Sequence, residues 1–93
     1  MSTEICVHIP TALRAQAANQ ATVQLNGTCV GEILSALQLA HPALGQRLYK
    51  SDGALNRFIN IYLNDEDIRF LDNLQTPVKA GDEVCLIPAI AGG

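Results

Sequence analysis

The sequence predicts an α+β fold in which a mixed sheet of four to five strands carries one main helix on one face. Three observations predict it. Short runs with two-residue alternation stand near both ends of the chain, and one stretch between them repeats its apolar residues at helical spacing. The third is size: 93 residues, 48% hydrophobic and 16% charged, suit a single domain. Such a chain buries roughly 60–65% of the surface its unfolded form exposes, enough for one core and too little for two.

Ile5, Val7 and Ile9 alternate with Cys6 and His8, the period of a strand with one buried face, and Pro10 removes a backbone donor and stops it. Thr11 to Gln20 is rich in Ala and Gln and reads as a connection. Val23 and Leu25 then alternate with Thr22, Gln24 and Asn26, and the turn pair Asn26-Gly27 closes a second strand that forms a hairpin with the first. Thr28 is placed as a helix N-cap. Val30, Ile33, Leu34 and Leu37 follow as an apolar stripe, and His41-Pro42 ends the helix. Ala43 to Asn56 lacks sustained periodicity and carries Gly45, Ser51, Asp52 and Gly53, so it reads as a loop with one short helical turn around Leu44 to Tyr49. Arg57 to Leu63 is a strong central strand with Ile59, Ile61 and Leu63 inward and Phe58, Asn60 and Tyr62 on the other face. Asn64 to Asp67 is a polar turn into a short strand at Ile68-Arg69-Phe70. Thr76-Pro77-Val78 and Ala80-Gly81-Asp82 supply turns before a last strand, Glu83 to Pro88.

A formal net charge of −3, with six Lys and Arg in no basic run, argues against nucleic acid and membrane surfaces as partners, since both reward clustered positive charge. A protein partner with a basic docking surface fits better. The start, Met1 to Cys6, lacks the basic and apolar regions of a signal peptide, and no stretch approaches membrane-spanning length, so a cytoplasmic location is expected. Cys6, Cys29 and Cys85 are odd in number and widely spaced, which suits reduced, structural thiols. Cys6 and His8 share a strand face and would permit a metal pair, although half-exposed strand positions explain them more simply, and no metal is assigned. Cys85 lies near the chain end, where a thiol could meet an activated carboxylate, but packing explains it and no catalysis is placed on any thiol. Asp65, Glu66, Asp67 and Arg69 read as a solvated turn, and His8 and His41 as surface or helix-end residues. With no Ser-His-Asp grouping, phosphate loop or metal-ligand cluster, a free-standing enzyme is not expected.

The end of the chain, Ile90-Ala91-Gly92-Gly93, is the most telling feature. Two glycines make a thin, permissive strip that can enter a tunnel too narrow for side chains. Terminal Gly-Gly also occurs in frayed ends and cloning scars. Here it follows a strand with no long linker, so the chain divides into a folded domain, 1–88, and an extended tail, 89–93. At about 3.3 Å per residue that tail reaches roughly 16 Å, enough to carry the Gly93 carboxylate into a partner's interior. Chemistry done to the protein by a partner is the expectation.

The order strand, strand, helix, strand, short strand, strand is that of ubiquitin-like β-grasp domains, where the last strand lies centrally beside the first. With Gly81-Asp82-Glu83-Val84 leading into Pro88-Ala89-Ile90-Ala91-Gly92-Gly93, the chain resembles the bacterial ubiquitin-like sulfur carriers of the MoaD and ThiS family over nearly its whole length. Ile9-Pro10-Thr11-Ala12-Leu13-Arg14, the block from Arg57 to Phe70, and the Pro-Ala-Ile-Ala-Gly-Gly end resemble most closely the carriers of cysteine biosynthesis. The chain departs from the smaller thiamine-type carriers in its central loop, Gly45 to Asn56.

The resemblance implies that an E1-like adenylating/sulfurtransferase enzyme uses ATP to adenylate the Gly93 carboxylate, after which a sulfur donor displaces AMP and leaves a thiocarboxylate. In the cysteine pathway, this sulfur adds to the aminoacrylate of a pyridoxal-phosphate-dependent cysteine synthase-type enzyme, and a JAMM-type metalloprotease releases the product. ATP and pyridoxal phosphate then belong to partners, and the chain itself holds no cofactor. Gly93 carries sulfur, Gly92 and Ala91 keep the strip thin, and Ile90, Ala89 and Pro88 guide it. Cys85 and Ile87 alternate with Val84 and Leu86 and form a candidate docking face. Two alternatives stay open: the small subunit of a molybdopterin synthase, against which the Arg57 to Phe70 block argues, and a ubiquitin-like binding or modifier module. The modifier would act noncovalently or through an isopeptide bond from Gly93.

Overall fold

In a computed structural model that describes residues 4–49 and 59–88, Ile5 and Val7 are fully buried while Cys6 and His8 are only half-buried. The alternation thus sets the faces of β1 (Glu4–His8) as expected. It pairs antiparallel with β2 (Thr22–Asn26), from Glu4 opposite Asn26 to His8 opposite Thr22, and Val23 and Leu25 point into the same core. The link between them is not a plain connection: Thr11–Ala17 forms a 3₁₀ helix that buries Leu13 and Ala17. Pro10 starts it with an extended backbone and a carbonyl that accepts from the Leu13 N–H at 2.9 Å. Ala18 and Asn19 end it at positive φ, where the Asn19 N–H reaches the Arg14 carbonyl at 2.7 Å. The Arg14 Nε–H donates to the Ile9 carbonyl at 3.0 Å, which ties this turn to the end of β1.

Helix α1 (Val30–Ala40) buries Val30, Ile33, Leu34 and Leu37, the stripe read from the sequence. Its N-cap is Cys29, one residue later than expected, and the Cys29 side chain makes no capping bond. Thr28 serves the helix from outside instead, donating through its N–H and hydroxyl to Glu32 Oε1 at 2.7 and 2.8 Å. Those two bonds, the backbone one first, hold the Glu32 carboxyl below its ordinary pKa. The α-helical run ends at His41 as expected, yet Pro42 begins a second helix, α2 (Pro42–Leu48), because proline's missing donor costs nothing at a first helical position. This enlarges the single turn expected at Leu44 to Tyr49. The Gln38 side chain of α1 occupies the space that a Cβ on Gly45 would need, so the two helices meet where α2 has no side chain.

Strand β3 (Ile59–Leu63) buries Ile61 and Leu63 and packs Ile59 against the core, with Asn60 and Tyr62 half-buried on the other face. Asn64 and Asp65 turn at positive φ into β4, which is Glu66–Asp67 and not the expected Ile68-Arg69-Phe70. The latter is a 3₁₀ turn. Asp67 Oδ1 accepts from the Arg69 N–H at 2.9 Å, and this cap turns the chain before a longer strand can form. Ile68 is buried and Phe70 exposed. After Asn73–Gln75, the Val30 N–H donates to the Thr76 carbonyl at 2.9 Å and Cys29 bridges Pro77, which straps this segment to the start of α1.

Strand β5 (Glu83–Pro88) completes a five-stranded mixed sheet of order β2-β1-β5-β3-β4, parallel to β1 and antiparallel to β3. The last strand therefore lies centrally, as the β-grasp order requires. Among the described residues the helices cover one face of the sheet and none covers the other. Arg57, Phe58 and the loop expected through Asn56 lie outside the described residues, apart from the part that forms α2.

Candidate functional site

Val84 and Leu86 turn their side chains into the core at 0% and 2% exposure, so the alternation of β5 sends Cys85 and Ile87 to the open face. Cys85 is half-buried there, between His8 of β1 and Tyr62 of β3 in register, and Ile87, 43% exposed, lies opposite Asn60. Pro88 pairs with Ile59. The three expected docking residues within the described chain, Cys85, Ile87 and Pro88, thus share the last turnless stretch of one strand. Ala89, Ile90, Ala91, Gly92 and Gly93 lie outside the described residues.

The start of β5 is clamped. Buried Asp82 accepts from the Asn64 amide and from the Lys79 N–H, both at 2.9 Å, and its Oδ1 lies 3.5 Å from Lys79 Nζ. Burial pushes its carboxyl up, but the bonds from Asn64 and Lys79 outweigh it and leave the pKa lowered. Gly81, at φ 91°, makes the preceding turn. On the neighbouring open face, His8 Nε2 lies 2.7 Å from Glu83 Oε1 and 3.9 Å from Cys6 Sγ. The Cys85 thiol is pushed up by burial first and then by Asp65, Glu83 and Cys6, which keeps it protonated and a poor nucleophile near neutral pH.

Asn60 and Tyr62 lie on the outward face of β3, as the alternation implied, and their register beside Ile87 and Cys85 adds them to this face; the His8–Glu83 contact was missed. The β-grasp order set the first and last strands side by side, but only their register brings His8 to Glu83, 75 positions away. The acidic turn proved less solvated than expected: Asp67 is buried, and both its oxygens accept from the Arg69 guanidinium, at 2.7 to 3.2 Å. A groove of about 590 Å³, lined by Cys29, Glu32, Ser35, Leu39, Tyr49 and Leu74 among others, lies beside α1, on the opposite side of the sheet from the β5 face. Among the described residues no helix is long and apolar enough to cross a membrane.

The sequence profile of the ThiS family matches residues 7–93. Sulfur carrier protein CysO of Mycobacterium tuberculosis (strain ATCC 25618 / H37Rv) is 42% identical over 91 residues, which cover 96% of this chain and 98% of that protein. A chain of the Amycolatopsis orientalis BexX/CysO complex superposes with a TM-score of 0.86 at 42% identity, covering 96% of this chain and 99% of that one. The small archaeal modifier protein 1 of Methanosarcina acetivorans superposes with a TM-score of 0.90 at 29% identity, over 100% of this chain and 99% of that one.

Proposed function

The chain belongs to the ThiS family of ubiquitin-like sulfur carriers, and from that premise we propose that it carries sulfur for cysteine biosynthesis as a thiocarboxylate on Gly93. A carrier of this kind is not itself a catalyst but is acted on by partner enzymes. The observation that carries the reading furthest is the place of β5, flanked by β1 over Glu83–Cys85 and by β3 as far as Pro88, with Cys85 and Ile87 on the face away from the core. Five residues beyond a strand so held, the terminal carboxylate leaves the domain from a rigid origin, which lowers the entropy cost of presenting it to a partner.

In the proposed cycle a carboxylate oxygen of Gly93 attacks the α-phosphorus of ATP in an E1-like adenylating/sulfurtransferase enzyme and expels pyrophosphate. A sulfur donor then displaces AMP. The resulting thiocarboxylate sulfur forms a C–S bond to a serine-derived acceptor in a pyridoxal-phosphate-dependent cysteine synthase-type enzyme, where the cofactor supplies an electron sink. The acyl group shifts from sulfur to the new amino acid's nitrogen, and a JAMM-type metalloprotease hydrolyses that amide to return cysteine and the Gly93 carboxylate. Gly92 and Ala91 keep the tail thin, Pro88, Ala89 and Ile90 guide it, and Cys85, Ile87 and Tyr62 offer the apolar centre of a docking face rimmed by Glu83 and Asp65. The reading implies the cytoplasm, where thiols stay reduced.

Likeness to a small archaeal modifier favours one second reading, in which the activated Gly93 is joined to lysines of other proteins. One experiment separates the two: intact mass spectrometry after incubation with the activating enzyme, ATP and a sulfur donor, in the presence of a cell extract. Exchange of one Gly93 oxygen for sulfur supports the carrier, and high-mass lysine adducts support the modifier. A plain carboxylate, while the same enzyme modifies a known carrier, overturns both.

A further inference from the structure

The two edges of the sheet are built differently. At one edge β4 is only the two residues Glu66–Asp67, both acidic. At the other, β2 runs over the five residues Thr22–Asn26, uncharged, without proline, and in unbroken one-to-one register with β1. A sheet that stays alone guards such an edge with charge, proline, a bulge or a very short strand. Shortness and charge guard β4, nothing of the kind guards β2, and from Ala15 to Gly31 the sequence holds no charged residue at all. We propose that β2 pairs antiparallel with β2 of a second copy of this chain, about a two-fold axis at Gln24, joining two five-stranded sheets into one.

The ladder to β1 decides which backbone groups face outward. The Ile9 N–H donates to the Ala21 carbonyl at 2.8 Å, and antiparallel pairs alternate between bonded and unbonded. Val23 opposite Val7 and Leu25 opposite Ile5 therefore bond to β1, while Thr22, Gln24 and Asn26 turn their N–H and C=O groups away from it. Among the described residues nothing pairs with those outward groups. With the axis at Gln24, that residue faces Gln24 of the second copy, and Thr22 faces Asn26 of the second copy. Each outward residue then donates one backbone bond and accepts one. A shift of two residues leaves one of them unpaired on each copy, and a shift of one turns the apolar side chains to the wrong face.

The same match selects a second copy as the occupant. A net charge of −3 makes two copies repel over much of their surface, and this edge is where they can meet without that cost. The row Glu4-Asn26 continues into Thr22 and His8 of the second copy, and Cys6-Gln24 into Gln24 and Cys6 of the second copy, so no like charges face each other. Val23 and Leu25, 8% and 9% exposed where Ile5 and Val7 are at 0%, come opposite one another across the axis and lose that remaining exposure. Bonds to water are exchanged for bonds between strands, and one strand makes a small contact, so the dimer is weak and concentration-dependent. Because β1 separates β2 from β5, both chain ends stay accessible, and the pairing stands or falls independently of the chemistry proposed for Gly93.

The test is analytical ultracentrifugation of the reduced full chain up to about 1 mM, with amide hydrogen exchange followed by NMR over the same series. The expected result is a shift from monomer to dimer in which exchange at Thr22, Gln24 and Asn26 slows as concentration rises, while Val23 and Leu25 are protected throughout. Gln24→Lys, at an exposed side chain, sets two like charges across the axis and should weaken the dimer about tenfold or more with circular dichroism unchanged. Thr22→Glu combined with Asn26→Lys sets opposite charges across both outer pairs and should tighten it, which keeps the comparison available should Gln24→Lys fold poorly. A monomer throughout the series, or a dimer equally stable in Gln24→Lys, would overturn the pairing. Protection of the β2 amides only after an activating enzyme is added, with the chain alone monomeric, would give the edge to a different protein and overturn it as well.

Discussion

The Asn64 side-chain amide donates a 2.9 Å hydrogen bond to Asp82 Oδ1, joining the turn after β3 to the turn that starts β5. The same amide accepts from the Glu83 N–H at 3.0 Å, and the Asn64 N–H donates to the Glu83 carbonyl at 3.0 Å. Asn64 does this at φ 51°, a left-handed conformation that asparagine tolerates better than most residues. One side chain therefore fixes both a reversed turn and the register of the central strand.

Asn64→Ala should cost about 1–3 kcal/mol, since it leaves the buried Asp82 carboxylate short of a donor and puts a Cβ-bearing residue without a local hydrogen bond at positive φ. Urea denaturation measures it. Asn64→Gly, which accepts the backbone but also loses the side-chain bonds, should recover part of the loss. An unchanged midpoint for Asn64→Ala would remove the clamp from consideration.

Acid should weaken the fold through Asp82 and Asp67. Both carboxyls are held below their ordinary pKa in the folded chain: Asp67 by hydrogen bonds from Arg69, and Asp82 because its bonds from Asn64 and Lys79 outweigh its burial. A carboxyl depressed on folding contributes its full stabilisation above the unfolded value of about 4 and loses it as pH falls toward the folded value. Denaturation midpoints should accordingly fall below about pH 4. The gap between wild type and Asp82→Asn should narrow over the same range. A gap constant from neutral pH down to acid would contradict the assignment.

How much of this was legible follows from where each piece of information sits. The faces of β1, β2, β3 and β5, and the stripe of α1, were written in local periodicity, because one side of each element is buried and the other is not. The 3₁₀ helix Thr11–Ala17 was hidden, since a tight helix that buries only Leu13 and Ala17 leaves no α-helical stripe. The displacement of β4 to Glu66–Asp67 turned on a single bond from the Arg69 N–H to Asp67, which composition does not reveal. The open face was half legible: Cys85 and Ile87 could be assigned from alternation. Their neighbours His8 and Tyr62 depended on strand order.

Leu86 and Ile87 are adjacent on β5 and should fail differently. Leu86→Ala opens a hole in a core position 2% exposed and should cost about 2–5 kcal/mol in a melting or denaturant experiment. Ile87→Asp, on the open face, should leave the melting temperature nearly unchanged while raising the KM of the activating enzyme for the carrier. Normal activation kinetics for Ile87→Asp would separate the open face from docking.

Removing Gly92 and Gly93 should abolish both thiocarboxylate formation and any lysine adduct, with circular dichroism and melting unchanged. Retained binding of the activating enzyme by the truncated chain, measured by calorimetry, would assign the remaining affinity to the sheet face. Sulfur transfer by the truncated chain would refute the terminal site.

The position of β5 has a mechanical consequence. A pull applied at the carboxyl end acts along a strand bonded to β3 through Pro88 and to β1 over Glu83–Cys85, so the load falls first on the β3 ladder and then on both, in shear. An edge strand under the same pull would be peeled away one bond at a time. A partner that grips the chain end can therefore tug, release and be replaced by the next without starting to unravel the domain, which lets one molecule pass through repeated cycles of handling.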